Sequence, residues 1–182
     1  MLAKDEFLIV LDFLSTGKPG DRRAEPVTQG VGEKYFSLLE VILKEGVTAK
    51  SKDRLYIGEG KRDQVKYIRS KISFSELTSY AKDVLEEVVN EVVSKDEKRF
   101  VEFFNKATAL TTRMHSLELL PGIGKKHLWA IIAERKKKPF ETFDEIKHRI
   151  PMVGDPKKMI IRRITDELQE KDRHQLFVSG IV

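Results

Sequence analysis

Cysteine is absent from the 182 residues, so no disulfide framework, thiol nucleophile or zinc–thiolate site is available. Long apolar runs are absent too. Phe7–Leu11 is a typical one, against the roughly 20 residues needed to span a bilayer. Acidic residues (Asp5, Glu6) precede that run, which is unlike a secretory signal. These absences predict a cytoplasmic protein without a membrane partner. Histidine is sparse: His115, His127, His148 and His174 are scattered, with no pairing at metal-ligand spacing. The chain also lacks Gly-x-x-x-x-Gly-Lys-Ser/Thr, a Gly-x-Gly-x-x-Gly after a strand, and Gly-x-Ser-x-Gly. No cofactor, resident metal or catalytic residue is therefore expected, and the chain is read as a non-enzyme.

What is present is charge. The 34 basic and 29 acidic residues leave a net +5. Residues 1–72 carry 14 basic and 11 acidic groups, residues 73–113 carry 6 and 8, and residues 114–170 carry 12 and 9. Two basic regions thus flank a slightly acidic middle, a distribution compatible with a polyanionic partner.

The first third has strand periodicity. Phe7, Ile9, Leu11 and Phe13 alternate with Leu8 and Val10, Tyr35–Val47 is rich in aromatic and branched residues, and 53–58 and 64–72 alternate with period two. Lys44-Glu45-Gly46 and Gly58-Glu59-Gly60-Lys61 read as turns. Several short strands suggest a small, closed or partly closed β-barrel. Ser15–Lys34, with four glycines and two prolines, reads as one long loop with a basic tip at Lys18, Arg22 and Arg23. If Leu55, Ile57, Ile68 and Ile72 point inward, then Arg54, Tyr56, Tyr67, Arg69 and Lys71 point outward. Tyrosines among cations suit stacking of unpaired bases with phosphates alongside. Tyrosine and lysine are common on exposed strand faces that bind nothing, and a one-residue register slip would exchange the faces.

From about residue 75 the period becomes helical. Ser73–Glu76, Ser94–Glu97 and Thr142–Glu145 have capping-box spacing. Val84, Val88 and Val92, then Phe100, Phe103, Phe104 and Ala107, then Leu110, Met114 and Leu117, form apolar stripes of three expected helices. Pro121 stops the third, Gly122 supplies turn freedom, and Gly124 opens a helix whose Leu128, Ile131 and Ile132 face a core. Ile150-Pro151-Met152-Val153-Gly154 aligns with Leu120-Pro121-Gly122-Ile123-Gly124, followed by Asp155 as N-cap and Pro156 in the first helical position.

Leu120–Lys125 between two helices resembles the helix-hairpin-helix motif, and the run through Phe143 is similar to the tandem form. Unpaired N–H groups at a helix start favour an anion. The candidate phosphate contacts are Gly122, Ile123, Gly124, Lys125 and Lys126 in the first hairpin, and Gly154, Lys157 and Lys158 in the second. A plain helix connector is the alternative for each. It is favoured at the second, where Met152 replaces Gly122 and Asp155 occupies the phosphate position. The run Arg135–Lys138 reads equally as a contact or as a solvated helix end.

The order of parts, with the Leu120–Lys125 hairpin, resembles an uncharacterised archaeal family, domain of unknown function 655. The resemblance implies an α+β chain: an OB-like β-barrel over residues 1–74, then a helical domain over 75–182 with helix-hairpin-helix motifs at 108–138 and 142–170. It also implies nucleic-acid binding and a link to ribosome biogenesis or transcription. Three functions follow in order. The first is a non-catalytic binder of structured RNA or single-stranded nucleic acid, with RNA favoured over DNA. The second is a protein-interaction adaptor in a nucleoprotein assembly, docking through the acidic Ser75–Val93 helix or the Phe177–Val182 tail. The third is a repair nuclease or glycosylase, for which Asp144 is the one aspartate at the expected distance, although its place in a capping box explains it without chemistry.

Overall fold

A computed structural model of the chain describes residues 4–22 and 25–178. Five strands, β1 (Phe7–Leu14), β2 (Val27–Gly32), β3 (Leu38–Leu43), β4 (Arg54–Tyr56) and β5 (Val65–Lys71), precede five α-helices. These are α1 (Ser79–Lys95), α2 (Glu97–Lys106), α3 (Lys125–Lys137), α4 (Phe143–Arg149) and α5 (Pro156–Leu168). The strands form one antiparallel sheet in the order β4-β1-β2-β3-β5. Register shifts between Val10 and Asp12 in β1, and at two places in the β3–β5 pairing, bend the strands and curl the sheet into a half-barrel. The inner face buries Leu8, Val10, Leu39, Val41, Leu43, Leu55, Ile57 and Val65. Among the described residues, no helix is long and apolar enough to cross a membrane.

Two compact units divide the chain. One comprises the described residues up to Val88 together with residues 167–178, the other Val89–Asp166. The division falls within α1, later than the 74/75 boundary read from the change of periodicity.

Several local expectations are corrected. Ser15–Lys34 is not one loop, because β2 occupies Val27–Gly32 and leaves only residues 15–26 as the connection. The strand lacks visible alternation because both its faces are buried. Gln29 on its second face is wholly enclosed, donating to the Glu40 carboxylate at 3.1 Å and to the Glu76 carbonyl at 3.0 Å, while its own oxygen accepts from the Thr78 N–H at 3.0 Å. No helix spans Leu110, Met114 and Leu117. Ala109 and His115 form an antiparallel bridge, and only residues 116–119 make a 3₁₀ turn. Ser94 is not a cap, since α1 runs through it and its hydroxyl donates to the Asn90 carbonyl. The Ser73–Glu76 box forms only by its glutamate half, since the Ser73 hydroxyl donates to the Glu76 carboxylate instead of accepting a backbone N–H. Glu76 accepts from the Ser73 N–H, although this closes a 3₁₀ turn, and Thr78 then caps α1 through the Ala81 N–H. Thr142 and Asp155 accept from the N–H groups of Glu145 and Lys158.

Candidate nucleic-acid interface

The first turn is held from below by apolar anchors. Leu120 and Ile123 are buried, Gly122 and Gly124 are exposed, and the Ile123 N–H donates to the Leu120 carbonyl at 3.1 Å. Gly122 has φ +87°, a left-handed conformation that side chains resist. Gly124 then caps α3 in an extended conformation. Its N–H donates to His127 Nδ1 at 3.1 Å, a contact that the spacing did not foretell. Among the described residues none accepts from the N–H groups of Lys125, Lys126 and His127, which open the helix. Lys125 bends away to the Glu118 carboxylate at 2.9 Å, whereas Lys126 is exposed and, among the described residues, makes no ion pair. The Lys125 ammonium, followed by the His115 N–H, holds Glu118 below the ordinary carboxylate range.

His115 fixes the entry to this turn. Its Nδ1 accepts from the Leu117 N–H at 3.1 Å, and Glu118 returns a bond to the His115 N–H at 2.8 Å. Burial, and then the Arg135 charge, hold the imidazole below its ordinary 6.5. Glu118 opposes this shift and Lys125 reinforces it. The neutral ring is therefore the folded form. Its contribution is complete above the unfolded value of about 6.5 and is lost as pH falls through the lower folded value. Denaturant unfolding is expected to show stability declining as pH falls below the ordinary imidazole value of about 6.5, and His115→Asn should flatten part of that decline. An unchanged slope in the variant would assign the loss to other groups.

The second turn repeats the geometry. Residues 151–153 make a 3₁₀ turn, Gly154 has φ +85°, and Pro156 opens α5. Here the Asp155 carboxylate accepts from the Lys158 N–H at 3.1 Å and occupies the anion position. Lys157 is half-buried and Lys158 exposed. The structure brings the two turns together around one side chain. The Met159 methyl lies 3.6 Å from the point where a Cβ on Gly122 would sit and 4.0 Å from the corresponding point on Gly154. Arg135, in the basic run closing α3, donates to the carbonyls of Phe104 and Ala107, at 3.0 and 2.9 Å, and so finishes α2.

On the sheet, Leu55, Ile57 and Ile72 are buried, while Arg54, Tyr67, Arg69 and Lys71 are exposed and Tyr56 is half-buried. Their polar ends are already engaged. Arg54 forks onto Glu33 at 2.8–3.2 Å and lies over the Phe7 ring, 3.3 Å from its centroid. Phe7 meets Tyr56 edge-on, and the Tyr56 hydroxyl accepts from the Gly60 N–H. Tyr67 donates to Glu25 at 3.1 Å, Arg69 pairs with Asp21 at 2.9 Å, and Lys18 pairs with the buried Glu40 at 2.8 Å. The 15–26 loop is thus tied to the sheet, and Arg69 holds the Asp21 carboxyl low. The separation of 48 positions between Arg69 and Asp21 hides this pairing from any local pattern. Arg22 is exposed, and Arg23 lies outside the described residues.

Asp144 sits in the first turn of α4, which Thr142 caps, and lines an open surface hollow with Glu145, Lys147, His148 and Pro151. One residue missed in the sequence stands out: Trp129, the single tryptophan, is 64% exposed in the middle of α3. Its helical spacing from Lys126 and Ala133 could have flagged it.

The model of one protein family, "Protein of unknown function (DUF655)", matches residues 4–179. An uncharacterised protein of Methanocaldococcus jannaschii is 45% identical over 177 residues, covering 96% of this chain and 80% of its own. A crystal structure of a protein from Archaeoglobus fulgidus, described with the same family, is 44% identical and superposes with a TM-score of 0.83, over 96% of this chain and 99% of the other.

Proposed function

We propose that this chain, which belongs to the DUF655 family of archaeal relatives of unknown function, is a non-catalytic nucleic-acid-binding protein. Backbone phosphates are held at Gly122–Lys126, and unpaired bases are taken on the sheet. One observation carries the reading: three unaccepted N–H groups at the start of α3, beside a left-handed glycine and the exposed Lys126. A phosphate there meets aligned donors and the positive end of the helix dipole.

Two features of the fold support this. The strand order β4-β1-β2-β3-β5 is that of a five-stranded Greek-key barrel opened between β4 and β5, as in an OB-like domain. The matched glycines Gly122 and Gly154 on either side of Met159 fit a tandem helix-hairpin-helix in which the first hairpin binds and the second, closed by Asp155, completes the packing. RNA is the first ligand class to try. A place in ribosome biogenesis or transcription, in the cytoplasm and beside a protein partner, belongs to the same proposal.

The test is a salt series of binding to labelled single- and double-stranded RNA and DNA, with Lys126→Glu and Gly122→Val beside the parent. The logarithm of affinity is expected to fall linearly with that of salt concentration, by about 0.7 per neutralised phosphate for a single strand. Lys126→Glu should weaken binding about tenfold and reduce the slope by about 1. Gly122→Val is interpretable only where circular dichroism shows native folding. Binding indifferent to salt and to Lys126→Glu would overturn the proposal. A complete failure to bind, with one stoichiometric protein retained instead, would favour the adaptor reading.

A further inference from the structure

The buried side of α3 is apolar. Leu128 and Ile131 are enclosed, and Arg135 turns inward to the end of α2. The opposite side shows Lys126, Trp129, Ala133 and Lys136, all exposed, at the spacing that puts them along one stripe. Exposed aromatic rings elsewhere have occupations: the hydroxyls of Tyr67 and Tyr80 bond Glu25 and Ser51. Trp129 has none. Among the described residues its indole makes no hydrogen bond, and no ring or cation packs on it. Leaving the largest aromatic side chain in water on a helix with room for a lysine gives folding nothing.

The charge around the ring identifies what would cover it. Of the helix's five cations, Lys125 pairs with Glu118, Lys137 with Glu134, and Arg135 turns to the carbonyls ending α2, whereas Lys126 and Lys136, on the side of the ring, make no ion pair among the described residues. An acidic or neutral polypeptide could satisfy the cations, but a nucleotide satisfies cations and ring together. Its phosphate meets ammonium groups while its base presents a π-face to the indole. Three residues of helix separate Lys126 from Trp129, about 4.5 Å along the axis, so both lie within reach of one nucleotide.

We infer that Trp129 is a stacking platform for an unpaired nucleobase, with Lys126 and Lys136 holding the phosphates on either side of that nucleotide. The inference rests on the proposed phosphate grip at Gly122–Lys126 and adds the ligand class: a single strand or an unpaired end, since a base inside a duplex has no free face to offer. The strand runs along α3 away from the hairpin. Sequence preference is weak, because every base has a π-face.

The chain holds one tryptophan, so its fluorescence reports this site alone. The full chain is titrated with labelled oligouridylate, with an abasic sugar-phosphate strand of equal length, and with duplex RNA. Binding is read by anisotropy of the label and stacking by quenching of the indole. Both single strands are expected to bind, with only the base-bearing one quenching. Trp129→Ala should weaken oligouridylate about tenfold and leave the abasic strand unchanged, and Trp129→Phe should recover part of the loss. Oligouridylate that binds without quenching, or with equal affinity for Trp129→Ala, overturns the stacking role and leaves the phosphate grip standing. Duplex that quenches as strongly overturns the preference for unpaired bases. If no strand binds, the platform and the grip fall together.

Discussion

Glu167→Ala is expected to lower the free energy of unfolding by about 3–5 kcal/mol, less than three separate bonds of about 1.5–3 kcal/mol to a charged group because the released N–H groups regain water. Glu167 lies near the end of α5 and is 1% exposed. One carboxylate oxygen accepts from the Leu176 N–H at 2.8 Å, and the other accepts from the Phe177 and Val178 N–H groups, each at 2.9 Å. One side chain therefore serves three consecutive backbone donors that no helix or strand serves. Alanine removes the acceptor and leaves the segment to undock, so the melting temperature should fall by about 10 °C. Glu167→Gln keeps the volume but turns a donating amide NH2 group toward an N–H, and should fall between alanine and the parent. Glu141→Ala on the surface is the control. If Glu167→Ala melts within a degree of that control, the carboxylate is not what holds residues 176–178.

A loss of about 3 kcal/mol or more is expected for Gly32→Ala, a size characteristic of steric overlap or a lost buried bond network. Asp5 is 7% exposed, and its carboxylate accepts from the N–H groups of Lys34 and Tyr35 at 2.8 Å and of Ser37 at 3.3 Å. The turn between β2 and β3 is wound around this one anion. A Cβ on Gly32 would overlap the same carboxylate, so alanine displaces the acceptor from its three donors. Asp5→Ala removes it outright. The two changes act on one cluster, and the double variant should lose little more than the worse single one, whereas independent sites would add. Urea unfolding of the four proteins measures this. Additive losses would show that Gly32 and Asp5 do not act through one another.

How far these features were readable depends on the range of the interactions behind them. The strands β1 and β4 showed in their alternation, because Leu8, Val10 and Leu55 turn one apolar face of them into the core, whereas β5 showed only through Val65 and the half-buried Ile68. β2 did not, because Thr28, Gln29 and Gly30 are all buried by partners more distant in sequence. Thr142 and Asp155 could be read as caps because their bonds span three residues. Ser94 has the same spacing to an acid, yet α1 continues through it, so the pattern alone does not stop a helix. In the candidate site, Gly122 and Gly124 were visible from their punctuation. That Met159 lies between Gly122 and Gly154, or that Asp21 and Glu25 would return to cover Arg69 and Tyr67, depends on packing between distant segments and leaves no local trace.

The compact unit that holds the sheet also includes residues 167–178, whereas the other unit is one continuous stretch from Val89 to Asp166. During synthesis the ribosome delivers the strands first, then the whole of the second unit, and only afterwards the segment clasped by Glu167. The second unit can complete its contacts while the chain is still being made. The first is incomplete for that entire interval, so the unit whose strands precede Val89 is closed only after the stretch that follows them.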